Sequence, residues 1–442
     1  QYEDNNRRVV VRRDLNSLND GQLISVTDYD TLGRVRLTRQ LENAGSQGVD
    51  DDTAGIKVQT RYLYSGSNRY QLTSNPYRES TSSAAASACS DYANCVMGWT
   101  LQKFDQDGRL IATTNYDGRG LPAPWGSNTS LTGTTTTAYD AETTTVTDPA
   151  GKARRSSIDG LGRLSQVVEA PSVLSYTTNY GYDALNNLTS VVQSNQSRTF
   201  AYTSLSRLSS ATNPESGTTT YAYDNNGNVT NVYDGRTVSG GGQNVVYRTY
   251  DALNRVTVKA HNDGSTPDVN YSYDDTGVTY SKGQLTQVSA GSVSTTRYSS
   301  YDALGRVTGS RQTTGSQTYT FSYSYNRADA LLSETYPSGR TINFTYDGAN
   351  RPVLVRGTLS SQTKDYLTGV TYFPHGAESS YSLGNHLNDA FAYNSRLQMM
   401  AQTFGNANWT WYLMALWYDY GTTTNNGNVL VAGNDVYPPT QT

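Results

Sequence analysis

The chain has 442 residues, with 34 Lys and Arg against 38 Asp and Glu and a net charge of −4. That balance excludes the basic stripe of a nucleic-acid binder, and no apolar run is long enough to span a bilayer as a helix. Hydrophobic residues reach only 35% by a count that includes 36 Tyr, too little for one thick core, yet the chain has too many aromatics and too little charge for disorder. An ordered protein with a large wet surface is expected.

In chain order, the opening "QYEDNNRRVV" starts in mid-pattern and reads as a piece of something longer. "YDTLGRVRL" from Tyr29 is the first complete phrase. The acidic triplet Asp50, Asp51 and Asp52 reads as a solvated loop. Residues 75–100 break the pattern; they hold the chain's two Cys, Cys89 and Cys95. That pair could close a small surface disulfide in an oxidising compartment or stand as two thiols; its spacing, with no His nearby, is a poor zinc pattern. Phe104, Tyr116 and Tyr139 mark degenerate phrases. Between them, residues 119–133 are rich in Pro, Gly and Ser and read as an excursion, not a central strand. "IDGLGRL" from Ile158, "YDALNNL" from Tyr182, "YDALNRV" from Tyr250 and "YDALGRV" from Tyr301 follow. Further anchors are Tyr202, Tyr223, Tyr273, Tyr325, Tyr346, Tyr372 and Tyr393, and "YDYGTTTNNGNVLV" near Tyr420 reads as a last copy. A period of about 20 to 28 residues marks a repeat architecture.

Each phrase reads as a β-hairpin. "TTTYAYD", Thr218 to Asp224, alternates polar and aromatic residues, "NNGN" supplies turn residues, and "VTNVYD" returns. The predicted turn opens on Tyr29-Asp30, Asp159, Tyr182-Asp183, Tyr223-Asp224, Tyr250-Asp251, Tyr301-Asp302 and Tyr346-Asp347. It bends at Gly33, Gly162, Gly227, Asn254 and Gly305, because Gly and Asn best tolerate positive φ. Arg34, Arg163, Arg255, Arg306 and Arg351 then stand four positions past the Asp, placed to pair with it or to stack on a Tyr ring. A motif that recurs along the whole chain is architecture before it is an active site, so these are structural residues.

The final aromatic run, "WTWYLMALWY", gathers Trp409, Trp411 and Trp417. Alternation leaves both faces of such a strand apolar. Cover from the chain's own tail and a neighbouring turn of the strip is one reading; a plug or an interface between subunits is the other.

"YDALGRV", "YDALNRV", "IDGLGRL" and the longer "TVTDPAGKARRSSIDGLGRL" resemble the Rhs/YD-repeat family, which includes bacterial Rhs toxins, the shell components of insecticidal ABC toxin complexes, and teneurins. The resemblance covers most of the chain. It implies an all-β fold, a strip of repeated β-hairpins spiralling into a hollow shell or tube that in the toxin members encloses a C-terminal effector. A shell with a wet inside and a wet outside also accounts for the composition.

Nothing points to catalysis. The three His, at 261, 375 and 386, sit in loop-like contexts without metal-ligand spacing, and neither a nucleophile elbow nor a phosphate loop occurs. The chain reads as a non-enzyme without cofactor or metal. Two units are expected: a YD-repeat array over residues 1–406, with irregular insertions at about 75–100 and 119–133, and an aromatic-rich terminal segment over 407–442. The expected function is a structural scaffold, part of a secreted or surface-exposed bacterial Rhs-like shell that encloses or presents a C-terminal toxin. The alternative is an extracellular adhesin or filament subunit that binds glycans or copies of itself, since Tyr- and Trp-rich polar sheets suit sugar stacking and open sheet edges suit strand addition.

Overall fold

Alternating Tyr, Thr, Ser and Val, cut by Gly and Asn at short intervals, leaves the backbone little but strand and turn to form. A computed structural model describes residues 2–3, 7–42, 49–78, 97–237, 241–406 and 412–435. Every regular element among them is a strand. Thirty-four strands run from Tyr2–Glu3 to Val431–Asp435 in one sheet. Each pairs antiparallel with its neighbour in sequence, as Tyr176–Tyr182 does with Leu188–Gln193, and that strand with Gln196–Tyr202. The expected all-β hairpin strip is therefore what the chain forms.

In such a meander, successive turns fall on opposite rims. The repeated turns close odd-numbered strands, from Leu23–Tyr29 to Leu387–Tyr393, and so lie along one rim; the degenerate Tyr116-Asp117 instead ends the even-numbered strand Leu110–Asp117, on the opposite rim. The strand before each turn also slips register by one residue at the anchor aromatic. Gly181 faces Ser190, but Tyr182 faces Leu188; Ala222 faces Asn231, but Tyr223 faces Val229. The same slip recurs at Tyr29, Phe104, Tyr250, Tyr301 and Tyr346. A bulge of this kind raises local twist and bends a sheet, and here it recurs mainly beside one rim, although Leu131–Asp140 pairs with Thr143–Thr147 without one and Asn115/Tyr116 slips at the other rim.

Core is local. Val10, Ile24, Val26, Leu41 and Ala54 form one cluster, and Leu72, Met97, Trp99 and Leu101 a second. Eleven of the buried hydrophobic side chains precede residue 102, and only eight follow it. Beyond that point the sheet has no oily face to hide.

Several segments differ from their sequence reading. In the expected excursion at 119–133, Leu121 and Trp125 pack on the second core, Arg119 accepts a hydrogen bond from the Trp99 indole at 3.2 Å, and residues from Leu131 on form the strand Leu131–Asp140. At the end of the 75–100 break, the strand Gly98–Phe104 begins inside the sheet. Cys89 and Cys95 lie outside the described residues, as do Trp409 and Trp411. The boundary at 406/407 marks no break in the sheet, because Met399–Asn406 pairs with Tyr412–Asp419, and that strand with Val431–Asp435. The tail thus lies edge-on as a further strand. Trp417, still 40% exposed, sits so close over Gly433 that a β-carbon there would meet its indole. The acidic triplet is an exposed loop, as expected, though it also makes ion pairs: Asp50 and Asp52 pair with Arg8 at 3.0 and 2.8 Å, and Asp52 with Arg36 at 3.3 Å. Beneath them the buried Asp28 lies between Arg8 and Arg39.

The strip also meets itself. The Arg327 amide donates to the Leu15 carbonyl at 2.9 Å, Arg351 pairs with Glu42 at 2.5 Å, Arg78 donates to the Tyr372 carbonyl at 3.2 Å, and Asn426 donates to Asp148 at 2.8 Å. Both partners advance together along the chain, as they must when a ribbon winds over itself. One circuit takes about 300 residues, as the separations of 309, 294 and 278 show.

Candidate functional site: the repeated turn and the seam

The turn is built by one carboxylate. The Asp30 amide donates to the Arg34 carbonyl at 2.8 Å, and the Gly33 amide to the Asp30 carbonyl at 3.0 Å. Asp30 Oδ1 accepts from the amides of Leu32 and Arg34, both at 2.9 Å, and Oδ2 from the Arg34 Nε at 2.8 Å. Asp159, Asp251, Asp302 and Asp347 repeat this with Arg163, Arg255, Arg306 and Arg351. Asp183 and Asp224 do so with Asn187 and Asn228 in place of Arg. The fifth turn position needs positive φ: Gly33, Gly162, Gly227 and Gly305 lie at 75, 77, 89 and 78°, and Asn254 at 61°. The amide of the closing Arg, helped by its guanidinium, holds the Asp30, Asp159 and Asp251 carboxyls below the usual carboxylate range.

The turn also reaches the next hairpin. The Arg163 guanidinium lies 4.9 Å from the centre of the Tyr182 ring, and Arg255, Arg306 and Arg351 lie over Tyr273, Tyr325 and Tyr372 in the same way. Most anchor tyrosines in turn donate their hydroxyl to the carbonyl just past the previous turn. Tyr182 reaches Leu164 at 3.0 Å, Tyr223 reaches Leu208 at 2.7 Å, Tyr250 reaches Val229 at 2.7 Å, and Tyr346 reaches Leu331 at 2.8 Å. Tyr301 does the same to Leu285. Tyr, Asp and Arg of neighbouring repeats therefore form one continuous chain of contacts along the rim.

Late in the chain this rim becomes one side of the seam. Its turns at 326–330, 347–351, 373–377 and 394–398 face loops of the opposite rim from the first circuit. Glu42 is the centre of the contact, accepting from Arg78 Nε and NH2 at 2.7 and 2.6 Å and from Arg351 at 2.5 Å. Burial pushes its carboxyl up, but the bonds and charges of the two guanidiniums outweigh this and hold it below the usual range. The turn Phe373–Ala377 carries His375, which is half-buried rather than solvated. Its ring stacks on Phe373 and stands edge-on to Tyr393, and neither ring nitrogen has a partner. Burial lowers its pKa below the ordinary 6.5. His261 ends a strand, and His386 occupies a turn with φ of 66°.

Among the described residues, no group of three or more His, Cys, Asp or Glu could hold a metal, and no helix is long and apolar enough to cross a membrane. The most developed polar constellation is thus a joint between hairpins and between circuits.

The RHS Repeat pattern matches residues 325–360, which span two of these turns. Solved structures share the fold. TcdB2-TccC3 without its hypervariable C-terminal region aligns with TM-score 0.72 and 16% identity, over 96% of this chain and 22% of that one. The complex TcdB2-TccC3-Cdc42 aligns with TM-score 0.70 and 15% identity, over 96% and 22%. The Photorhabdus luminescens Tc holotoxin pore aligns with TM-score 0.71 and 15% identity, over 97% and 22%. The chain thus spans about a fifth of the length of these proteins. No curated protein matches it by sequence. Residues 325–360 thus match an RHS repeat, and the strip as a whole shares its fold with these Tc proteins.

Proposed function

We propose that the chain is a stretch of shell wall, a scaffold whose work is to enclose or present an effector carried by the same protein. The observation that carries this reading is the seam. A ribbon with two wet faces, wound so that one rim closes on the other about 300 residues away, makes a wall around a polar space. A catalytic reading would need a cluster of reactive groups, whereas the turn carboxylates spend their oxygens on their own backbone and Arg. The Tc structures, one a holotoxin pore and one lacking its hypervariable C-terminal region, support a toxin as the enclosed effector. They also support a secreted or cell-surface setting in a bacterium.

Electron microscopy of the purified chain tests this. Class averages should show a curved wall one strand length high, and two where the second circuit lies on the first, around an open lumen. A solid particle with no lumen would sink the proposal.

A further inference from the structure

The seam is tight on both sides of one gap. At one edge Gly98 lies so close to Ser395 that a β-carbon there would meet the Ser395 carbonyl, and the Asn75 side chain donates to that carbonyl at 2.5 Å. At the other edge a β-carbon on Gly133 would meet Pro149 and the Asn425 carbonyl, and Asn426 bonds Asp148. Between these edges, residues 394–396 and 418–422 of the second circuit and residues 117 and 130–132 of the first line a cavity of about 510 Å³, a size usual for small-ligand sites. It lies inside the seam, with contacts between the circuits on either side of it.

Three kinds of side chain line it. Tyr393, Tyr418 and Tyr420 supply aromatic surface, and the exposed Asp117 and Asp419 supply acceptors. Arg396 supplies a cation. It stands at the turn tip, where the other seam turns carry Ala328, Ala349 and His375. Its amide donates to Asn394 Oδ1 at 2.9 Å, and its Nη1 to the carbonyl of the buried Asn425. Its Nε and Nη2 have no partner among the described residues. Arg163, Arg255, Arg306 and Arg351 each sit on an aspartate. Arg396 has none within ion-pair distance; burial lowers its pKa and no carboxylate raises it again. A half-buried cation held only by neutral groups is short of an anion.

We infer that this cavity binds an acidic saccharide of the hexuronate class. Arg396 takes the carboxylate on its open Nε–Nη2 edge, the geometry in which a guanidinium binds best. The tyrosines cover the apolar face of the sugar ring, and Asp117 and Asp419 accept from its hydroxyls. A bare carboxylate makes no use of the tyrosines, and a neutral sugar leaves the arginine unanswered. This holds whatever the wall encloses.

Saturation-transfer NMR on the whole chain is the test, with methyl glucuronide, methyl glucoside and acetate as probes. Methyl glucuronide should bind saturably, and about tenfold or more tightly than either methyl glucoside or acetate. Arg396→Gln should erase the preference for the acid. Asp117→Ala, at an exposed site whose side chain bonds nothing in the fold, should weaken both sugars and keep the preference. A wild type that shows no saturable binding of methyl glucuronide overturns the inference. So do equal binding of the two sugars, acetate binding as tightly as the glucuronide, a preference that survives Arg396→Gln, or binding indifferent to Asp117→Ala.

Discussion

At the scale of the residue, the turn depends on three separable contributions. The first is backbone: Gly162 has φ of 77° and open space where a β-carbon would be. Gly162→Val should therefore cost roughly 1–2 kcal/mol from the left-handed backbone alone, while Gly162→Asn should cost less than half of that, because Asn254 already adopts this conformation. Urea melts of the two variants check it; equal losses would contradict the account. Gly305 is a poorer probe, since a β-carbon there would meet the Gln284 side chain. The second contribution is the Tyr hydroxyl. Tyr223→Phe deletes the 2.7 Å bond to Leu208 and should cost about 1 kcal/mol. The third is the guanidinium fork. Arg163 reaches Asp159, the Asp183 carbonyl and Asn186 at once while lying over Tyr182. Arg163→Lys keeps the charge but not the planar fork, and should recover less than half of the stability lost in Arg163→Ala. Full rescue by Lys would reduce the role to charge alone.

At the scale of the element, the hairpin was legible and the seam was not. Asp, Gly and Arg of one turn lie within four residues, and their chemistry is local, so the phrase Tyr-Asp-x-x-Gly-Arg carries it. The bulge beside each Tyr has no residue type of its own and left no mark. The Tyr under each Arg belongs to the following hairpin, so the sequence allowed two partners for the Arg without showing that it takes both. Glu42 has no repeat signature and is recognised only once Arg351, 309 residues away, is seen beside it. His375 looked like a solvated loop residue for the same reason, because what covers it comes from the aromatics Phe373 and Tyr393 in a folded seam. These two groups set the pH response of the seam, while the turn carboxylates add a loss along the whole strip at lower pH. His375 has a folded pKa below 6.5, so the unfolded chain binds its proton first, and its contribution to stability falls as pH drops below about 6.5. Glu42 has a folded pKa below its ordinary 4.5, so its contribution is whole above that pH and is lost as pH falls through the lowered value. On acidification below about pH 6.5, hydrogen exchange should accelerate first at residues 347–351 and 373–377, with the hairpins at 176–230 following only as Asp183 and Asp224 titrate at lower pH. His375→Phe should remove the early phase, and Glu42→Gln should loosen the same turns at pH 7 by about 1–3 kcal/mol. Uniform exchange along the strip would contradict a discrete seam.

At the scale of the whole molecule, stability is distributed rather than central. Two small cores lie before residue 102; beyond them each hairpin is held by its neighbours, as in other one-dimensional repeat arrays. Composition announced this, since so much Tyr, Thr and Ser with so few aliphatics cannot fill a thick interior but can form a sheet wet on both faces. What composition could not give was the length of a circuit, which depends on twist accumulated over many bulges. The central claim is that the ribbon closes rim to rim after about 300 residues, and one cross-link tests it. Asp148 and Asn426 stand 2.8 Å apart through their side chains. With Cys89 and Cys95 changed to Ser, the pair Asp148→Cys and Asn426→Cys should oxidise within single chains at high dilution, giving a faster-migrating monomer that reverts on reduction. The pair Asp148→Cys and Asn254→Cys, with neither residue bonded to the other, should not. A chain that forms no internal cross-link between 148 and 426, or forms one only between molecules, would show that the strip does not wind as described.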